Sequence, residues 1–184
     1  MTTSNEDLIA RLRQWDCKTV RDIVAIYQEF RLQAGFLDSL IGACARPETE
    51  TAATWLVKHH VEDGQVQVSH AQAGLYYQNA VSLTQWQAQL HALQTMDHVA
   101  LSEQMSTEVY DFVSAAISSD KTLLRAWGYY GLALVALQEP TKKVHAMKTL
   151  RRAAQTHSKG AIAVRVRKAL ERLAISPDSN ELRK

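Results

Sequence analysis

Apolar residues recur at three-to-four-residue spacing in one segment of the chain after another. In residues 18–34 the stripe is Val20, Ile23, Val24, Tyr27 and Phe30, which predicts an amphipathic helix. Ahead of it, Ser4-Asn5-Glu6-Asp7 reads as a capping box before Leu8, Ile9 and Leu12, and Gly35 marks the stop. Residues 36–45 make a short apolar helix. Pro47 then sits where a first helical residue would, with Glu48 and Glu50 in the first turn. That helix carries Ala52, Trp55, Leu56 and His59 and stops near Gly64. Residues 65–81 carry two signals: Val66 and Val68 alternate as in a strand, whereas Ala71, Leu75 and Tyr76 suit a helix. Residues 82–96 are helical by pattern and 97–104 read as a loop.

The clearest stretch is 105–137. Val109, Phe112, Val113, Ala116 and Ile117 predict one helix, and residues 118–121 make a polar turn. A second helix follows with Leu124, Arg125, Gly128, Gly131 and Leu132, so the stretch reads as a helical hairpin. A glycine inside a helix costs about 1 kcal/mol relative to alanine, so two of them imply close helix approach or open surface. Pro140 separates this hairpin from a helix over 141–157. Lys159-Gly160 is a turn, 161–174 is the last helix, and 176–184 is a polar tail.

The second helices share a register. Ala52, Trp86 and Gly128 fall at one position, Trp55, Gln89 and Gly131 three later, and Leu56, Leu90 and Leu132 one later again. The leucines are 34 and 42 residues apart. The last hairpin carries Val164-Arg165-Val166-Arg167 and Ala169-Leu170. On these residues, 36–173 resembles HEAT-like repeat proteins. The runs ATWLVKHHVEDG (53–64), LTQWQAQLHALQTM (83–96), VYDFV (109–113) and LLRAWGYYGLALVA (123–136) are also similar to an uncharacterised bacterial HEAT-like group. The resemblance implies an all-α fold, a right-handed α-α superhelix of HEAT-like hairpins. It would form a single domain over 1–175, with a helical cap at 1–34 and about four helix pairs over 36–173. HEAT motifs encode packing and build surfaces, so the implied function is a non-catalytic binding module or scaffold for a protein partner.

Composition narrows the field. Three prolines and seven glycines are too few breakers for a turn-rich β architecture. No window approaches eighteen uninterrupted apolar residues, and the N-terminus lacks a signal-type apolar run. Cys17 and Cys44 have no metal or redox spacing, so a reduced, cytoplasmic protein is expected. No nucleophile–base pattern, phosphate loop or cofactor motif is present, and neither a catalytic set nor a cofactor is expected.

Charge is polarised. Residues 141–184 hold twelve Lys/Arg against three Asp/Glu, and residues 1–140 hold nine against sixteen. Lys148, Arg151 and Arg152, with His145, are expected on one side of the 141–157 helix, and Ala146, Met147, Leu150 and Ala153 on the buried side. Arg165, Lys168 and Arg172 are expected opposite Ile162, Val166, Ala169 and Leu173. A polar end cap accounts for solubility but not for a single sign of charge, so this face is a candidate site for an anionic partner, nucleic acid included.

Two further candidate sets follow. Trp86, Trp127, Tyr129, Tyr130 and Arg125, with Tyr76 and Tyr77, are candidates for an aromatic groove, with core packing as the alternative. The resemblance extends to DNA-alkylation-repeat glycosylases, whose solenoids carry tryptophans and an aspartate in a basic cleft. Trp15-Asp16, Trp86, Trp127 and Arg125 match that inventory, but no aspartate flanks Trp86 or Trp127. His59, His60, Asp63 and His91 offer a weak metal-ligand pattern without the His-Glu dipeptides of metal-dependent HEAT-like hydroxylases.

Overall fold

The computed structural model of the chain describes residues 2–63, 66–101 and 103–174. Within them every regular element is helical. There are ten α-helices: α1 (Thr2–Gln14), α2 (Val20–Phe30), α3 (Phe36–Cys44), α4 (Glu50–Asp63), α5 (His70–Ala80), α6 (Trp86–Thr95), α7 (Ser106–Ile117), α8 (Thr122–Gln138), α9 (Lys143–Thr156) and α10 (Gly160–Ala174). Short 3₁₀ turns at Glu103–Met105 and Pro140–Lys142 precede α7 and α9. None of the described helices is long and apolar enough to cross a membrane. The polar tail expected over 176–184 and the stop expected at Gly64 lie outside the described residues.

The chain divides into two compact units, residues 1–100 and 101–184. The boundary falls in the segment expected as a loop over 97–104. In the first unit α3 packs on α4 and α5, α4 packs on α6, and α1 and α2 pack on each other and on α4. Its core includes Leu8, Leu12, Ile23, Tyr27, Leu40, Leu56 and Leu93. In the second unit α8 packs on α7, α9 and α10, and α9 packs on α10. Because α8 has neighbours on several sides, it is buried almost all round from Gly128 to Ala136.

Local chemistry sets the helix ends. Gly35 and Gly160 stand at φ 74 and 83, the left-handed region that side chains disfavour, and each opens a helix. Asp16 accepts from the backbone N–H groups of Lys18 and Thr19 at 2.8 Å, folding the turn into α2. Cys17 takes a positive φ of 58 inside that turn. The mixed signal over 65–81 resolves at Ser69. Its hydroxyl accepts from the Gln72 N–H, and the Gln72 side chain accepts from the Ser69 N–H, so α5 starts at His70. Val66 and Val68 precede it in non-helical backbone, with no strand to pair with among the described residues.

Three expected boundaries move. The helix expected from the Ser4 box starts earlier, at Thr2, since no proline or glycine stops it. The helix expected from Pro47 begins at Glu50. Pro47 instead opens a preceding turn, in which the Arg46 carbonyl accepts from Thr49 and Glu50. The helix expected over 82–96 spans Trp86–Thr95, because Glu50 holds the N–H groups of Thr84 and Gln85.

Polar links join segments of the first unit at similar sequence separations. Arg13 meets Glu48 at 2.9 Å across 35 residues, and the Tyr27 hydroxyl meets His60 Nδ1 at 3.1 Å across 33. Gln72 donates to Asp38 at 2.9 Å across 34 residues, and Asn79 to the Ile41 carbonyl at 2.8 Å across 38. Thr54 and His91 meet at 3.2 Å across 37. The same offset that relates Leu56 to Leu90 in sequence therefore relates contacting helices in space.

Candidate binding surface

The aromatic candidates belong to both units. Trp86 lies in the first unit, at the start of α6, and is 37% exposed. Trp127, Tyr129 and Tyr130 lie on α8 in the second. Tyr130 is buried, Trp127 and Tyr129 are half-buried, and Tyr76 and Tyr77 are in the core of the first unit. The Tyr77 hydroxyl donates to the Val99 carbonyl at 2.6 Å, pinning the end of that unit. Arg125 is half-buried, and its Nε has no hydrogen-bond partner among the described residues.

Arg165, expected only as part of the basic face, lies over an aromatic candidate. Its guanidinium carbon is 3.4 Å from the centroid of the Trp127 ring and 5.8 Å from that of Tyr130. Helices α8 and α10 pack together along this contact. The arrangement is a cation–π stack in which one face of the indole is covered from within the unit. Gly128, next to Trp127, serves close approach: a Cβ there would lie 2.9 Å from the Ile117 backbone nitrogen on α7.

The other basic candidates are exposed. Lys148, Arg151 and Arg152 on α9 and Lys168 and Arg172 on α10 face solvent, opposite buried Ala146, Leu150, Ala153, Ile162, Val166, Ala169 and Leu173. Among the described residues Lys148, Arg151 and Arg152 form no ion pair. From Pro140 to Ala174 the chain holds ten Lys/Arg and a single acid, Glu171.

The outer side of α9 has two chemistries. One side is a groove of about 810 Å³ along the helix, lined by Pro140, Lys143, Val144, Met147, Lys148, Arg151, Arg152 and Gln155. Val144 is 78% exposed in it. Met147, expected on the buried side, is half-exposed and lines this groove, because α8 and α10 cover only the stripe through Ala146, Leu150 and Ala153. The other side is a polar pocket of about 440 Å³ against α8, lined by Tyr129, His145, Lys148, Thr149, Arg152, Ala153 and Thr156. Lys148 and Arg152 border both. The apolar half of this surface went unread in the sequence. Its signal was the stripe of Lys143, Val144, Met147, Lys148, Arg151 and Gln155 at helical spacing.

The histidines considered as ligands have other partners. His59 packs edge-on against Tyr27 at 4.6 Å and lies 5.0 Å from Trp55. His60 meets the Tyr27 hydroxyl, and burial lowers its pKa. His91 meets Thr54, and burial, with Lys58 as a smaller cause, pushes its pKa down to about 4. Among the described residues no group of three His, Cys, Asp or Glu side chains is arranged to hold a metal ion. The Asp63 side chain lies outside the described residues. Asp16 is held by its own turn, and hydrogen bonds from Thr19 lower its pKa. Comparison with family models, with curated proteins and with solved structures finds no match.

Proposed function

We propose that this protein is a non-catalytic binding module, a scaffold of HEAT-like hairpins wound as a right-handed superhelix that presents a helical surface to a protein partner. The observation that supports the repeat reading is the set of polar links between hairpins at separations of 33 to 38 residues. Polar links between helices about one repeat length apart in sequence are what stacked hairpins would make, and such a stack builds a surface. The unneutralised cations of α9 supply that surface with a chemistry for recognition.

The test is retention from a lysate of the source cell on the immobilised full chain. An unrelated all-helical protein is the control. Specific retention of a defined protein, identified by mass spectrometry, is expected. Retention no different from the control overturns the reading.

A second reading, a nucleic-acid-binding protein or a DNA-alkylation-repeat-like glycosylase, is favoured by the charge of residues 140–174. Binding to duplex DNA with a steep log–log dependence on salt would support it. The glycosylase form predicts base release from alkylated duplex DNA that Trp127→Ala abolishes. The Arg165 stack weighs against that form, since it covers an indole face that a flipped base would use.

A further inference from the structure

From the composition of the α9 groove we infer that this face docks an acidic amphipathic helix of a protein partner. The inference deepens the binding-module reading and rests on it. Three features of the groove select the ligand. The first is length: the lining runs from the 3₁₀ turn at Pro140 to Gln155 near the end of α9, about 22 Å at the helical rise. That accommodates three to four turns of a second helix.

The second is the alternation of chemistry across it. Val144 and Met147 form an aliphatic strip, with Lys143, Lys148 and Arg151 beside it. A helix with apolar residues three and four apart and carboxylates flanking them satisfies both at once. The third is charge. These cations form no ion pair among the described residues, and a partner's carboxylates complement them.

Other occupants fit less well. A phosphate backbone satisfies the cations but leaves an aliphatic strip in contact with charged oxygens, and this groove holds no aromatic ring for a base to stack on. A bilayer surface calls for large apolar residues on the exposed face of the helix, and α9 offers one valine and a half-exposed methionine. The Lys148 and Arg152 side chains also border the polar pocket beside Tyr129, so a carboxylate at the edge of the docked helix has hydroxyl donors within the same surface.

The experiment is fluorescence anisotropy on the full chain with a labelled synthetic peptide of about 14 residues, the length of α9. The peptide carries leucines three and four apart, flanked by glutamates. A scrambled peptide of the same composition, a single-stranded oligonucleotide and phosphatidylserine vesicles are the comparison probes. The patterned peptide is expected to saturate, with the scrambled one at least about tenfold weaker. Lys148→Glu with Arg151→Glu weakens the patterned peptide about tenfold or more, and Val144→Ser weakens it measurably. All three positions are on the outer face of α9, so circular dichroism melting of the variants is expected to match the parent.

Equal affinity for patterned and scrambled peptides, or no saturation by the patterned one, overturns the inference. So does tighter binding of the oligonucleotide or the vesicles with the same loss in the variants. If the patterned peptide fails while the lysate partner is retained equally by Lys148→Glu/Arg151→Glu, the docking site is wrong and the binding-module reading stands. If neither binds, both fall.

Discussion

The Glu50 carboxylate, on the first turn of α4, accepts from both the backbone N–H and the hydroxyl of Thr84, just ahead of α6. The N–H lies 3.1 and 3.2 Å from its two oxygens and the hydroxyl 2.8 Å from one. The Gln85 N–H donates to the same group. Glu50 is 2% exposed, so a buried carboxylate closes the approach to the N-terminus of α6 while sitting at the N-terminus of its own helix. Both helix dipoles favour negative charge there.

Removing that carboxylate leaves donors at the start of α6 without an acceptor inside the protein. Glu50→Ala is expected to cost about 2–4 kcal/mol, by the usual penalties for unsatisfied buried groups and a lost cap. Glu50→Gln keeps one acceptor and is expected to cost less. Urea denaturation of the three proteins checks the order, and an Ala variant as stable as the parent would refute the cap.

Two helical glycines are expected to respond to alanine with opposite sign. At Gly74 in α5 a Cβ meets nothing within 4 Å, so Gly74→Ala is expected to stabilise by about 0.5–1 kcal/mol. At Gly128 the same methyl lies 2.9 Å from a backbone atom of α7 and 3.1 Å from the Ala116 Cβ. Gly128→Ala is therefore expected to destabilise by about 1–3 kcal/mol despite its better helix propensity. Thermal melts of both variants decide it.

Acid is expected to weaken the first unit through His91. Its folded pKa is about 4, against an ordinary value of 6.5, because burial disfavours the cation. Between those values the unfolded chain takes up a proton that the folded chain refuses. The full stability is present above pH ~6.5 and falls toward pH ~4, by up to ~3 kcal/mol for a shift of this size. His60, lowered by burial, acts in the same direction. Denaturation series across pH 4–7 should show a flatter profile for His91→Gln than for the parent.

The Arg165–Trp127 stack predicts a measurable coupling. A double-mutant cycle with Arg165→Ala and Trp127→Leu is expected to give about 0.5–2 kcal/mol, the range for a partly desolvated cation–π pair. A coupling near zero would mean that the two side chains merely pass close to one another.

The amino-acid sequence by itself determined the helices. Periodicities such as Val20–Phe30 and Ile162–Leu173 are local and leave one apolar stripe per helix, and Gly35, Pro140 and Gly160 interrupt the chain where the structure turns. The 34-residue offset from Leu56 to Leu90 is also present in the sequence, and the two helices that carry these leucines, α4 and α6, pack on each other. Helix ends held from outside were not legible: α6 starts just after Thr84 and Gln85, whose N–H groups Glu50 captures from 34 and 35 residues away. Nor was the allocation of side chains between core and surface at the edge of a stripe. Tyr130 lies inside and Met147 at the rim according to which neighbour covers that arc of the helix, and Arg165 rests on Trp127 because α10 packs on α8. Periodicity fixes which face of a helix is apolar, but the neighbour that covers the face decides its limits, and that neighbour is chosen by tertiary packing.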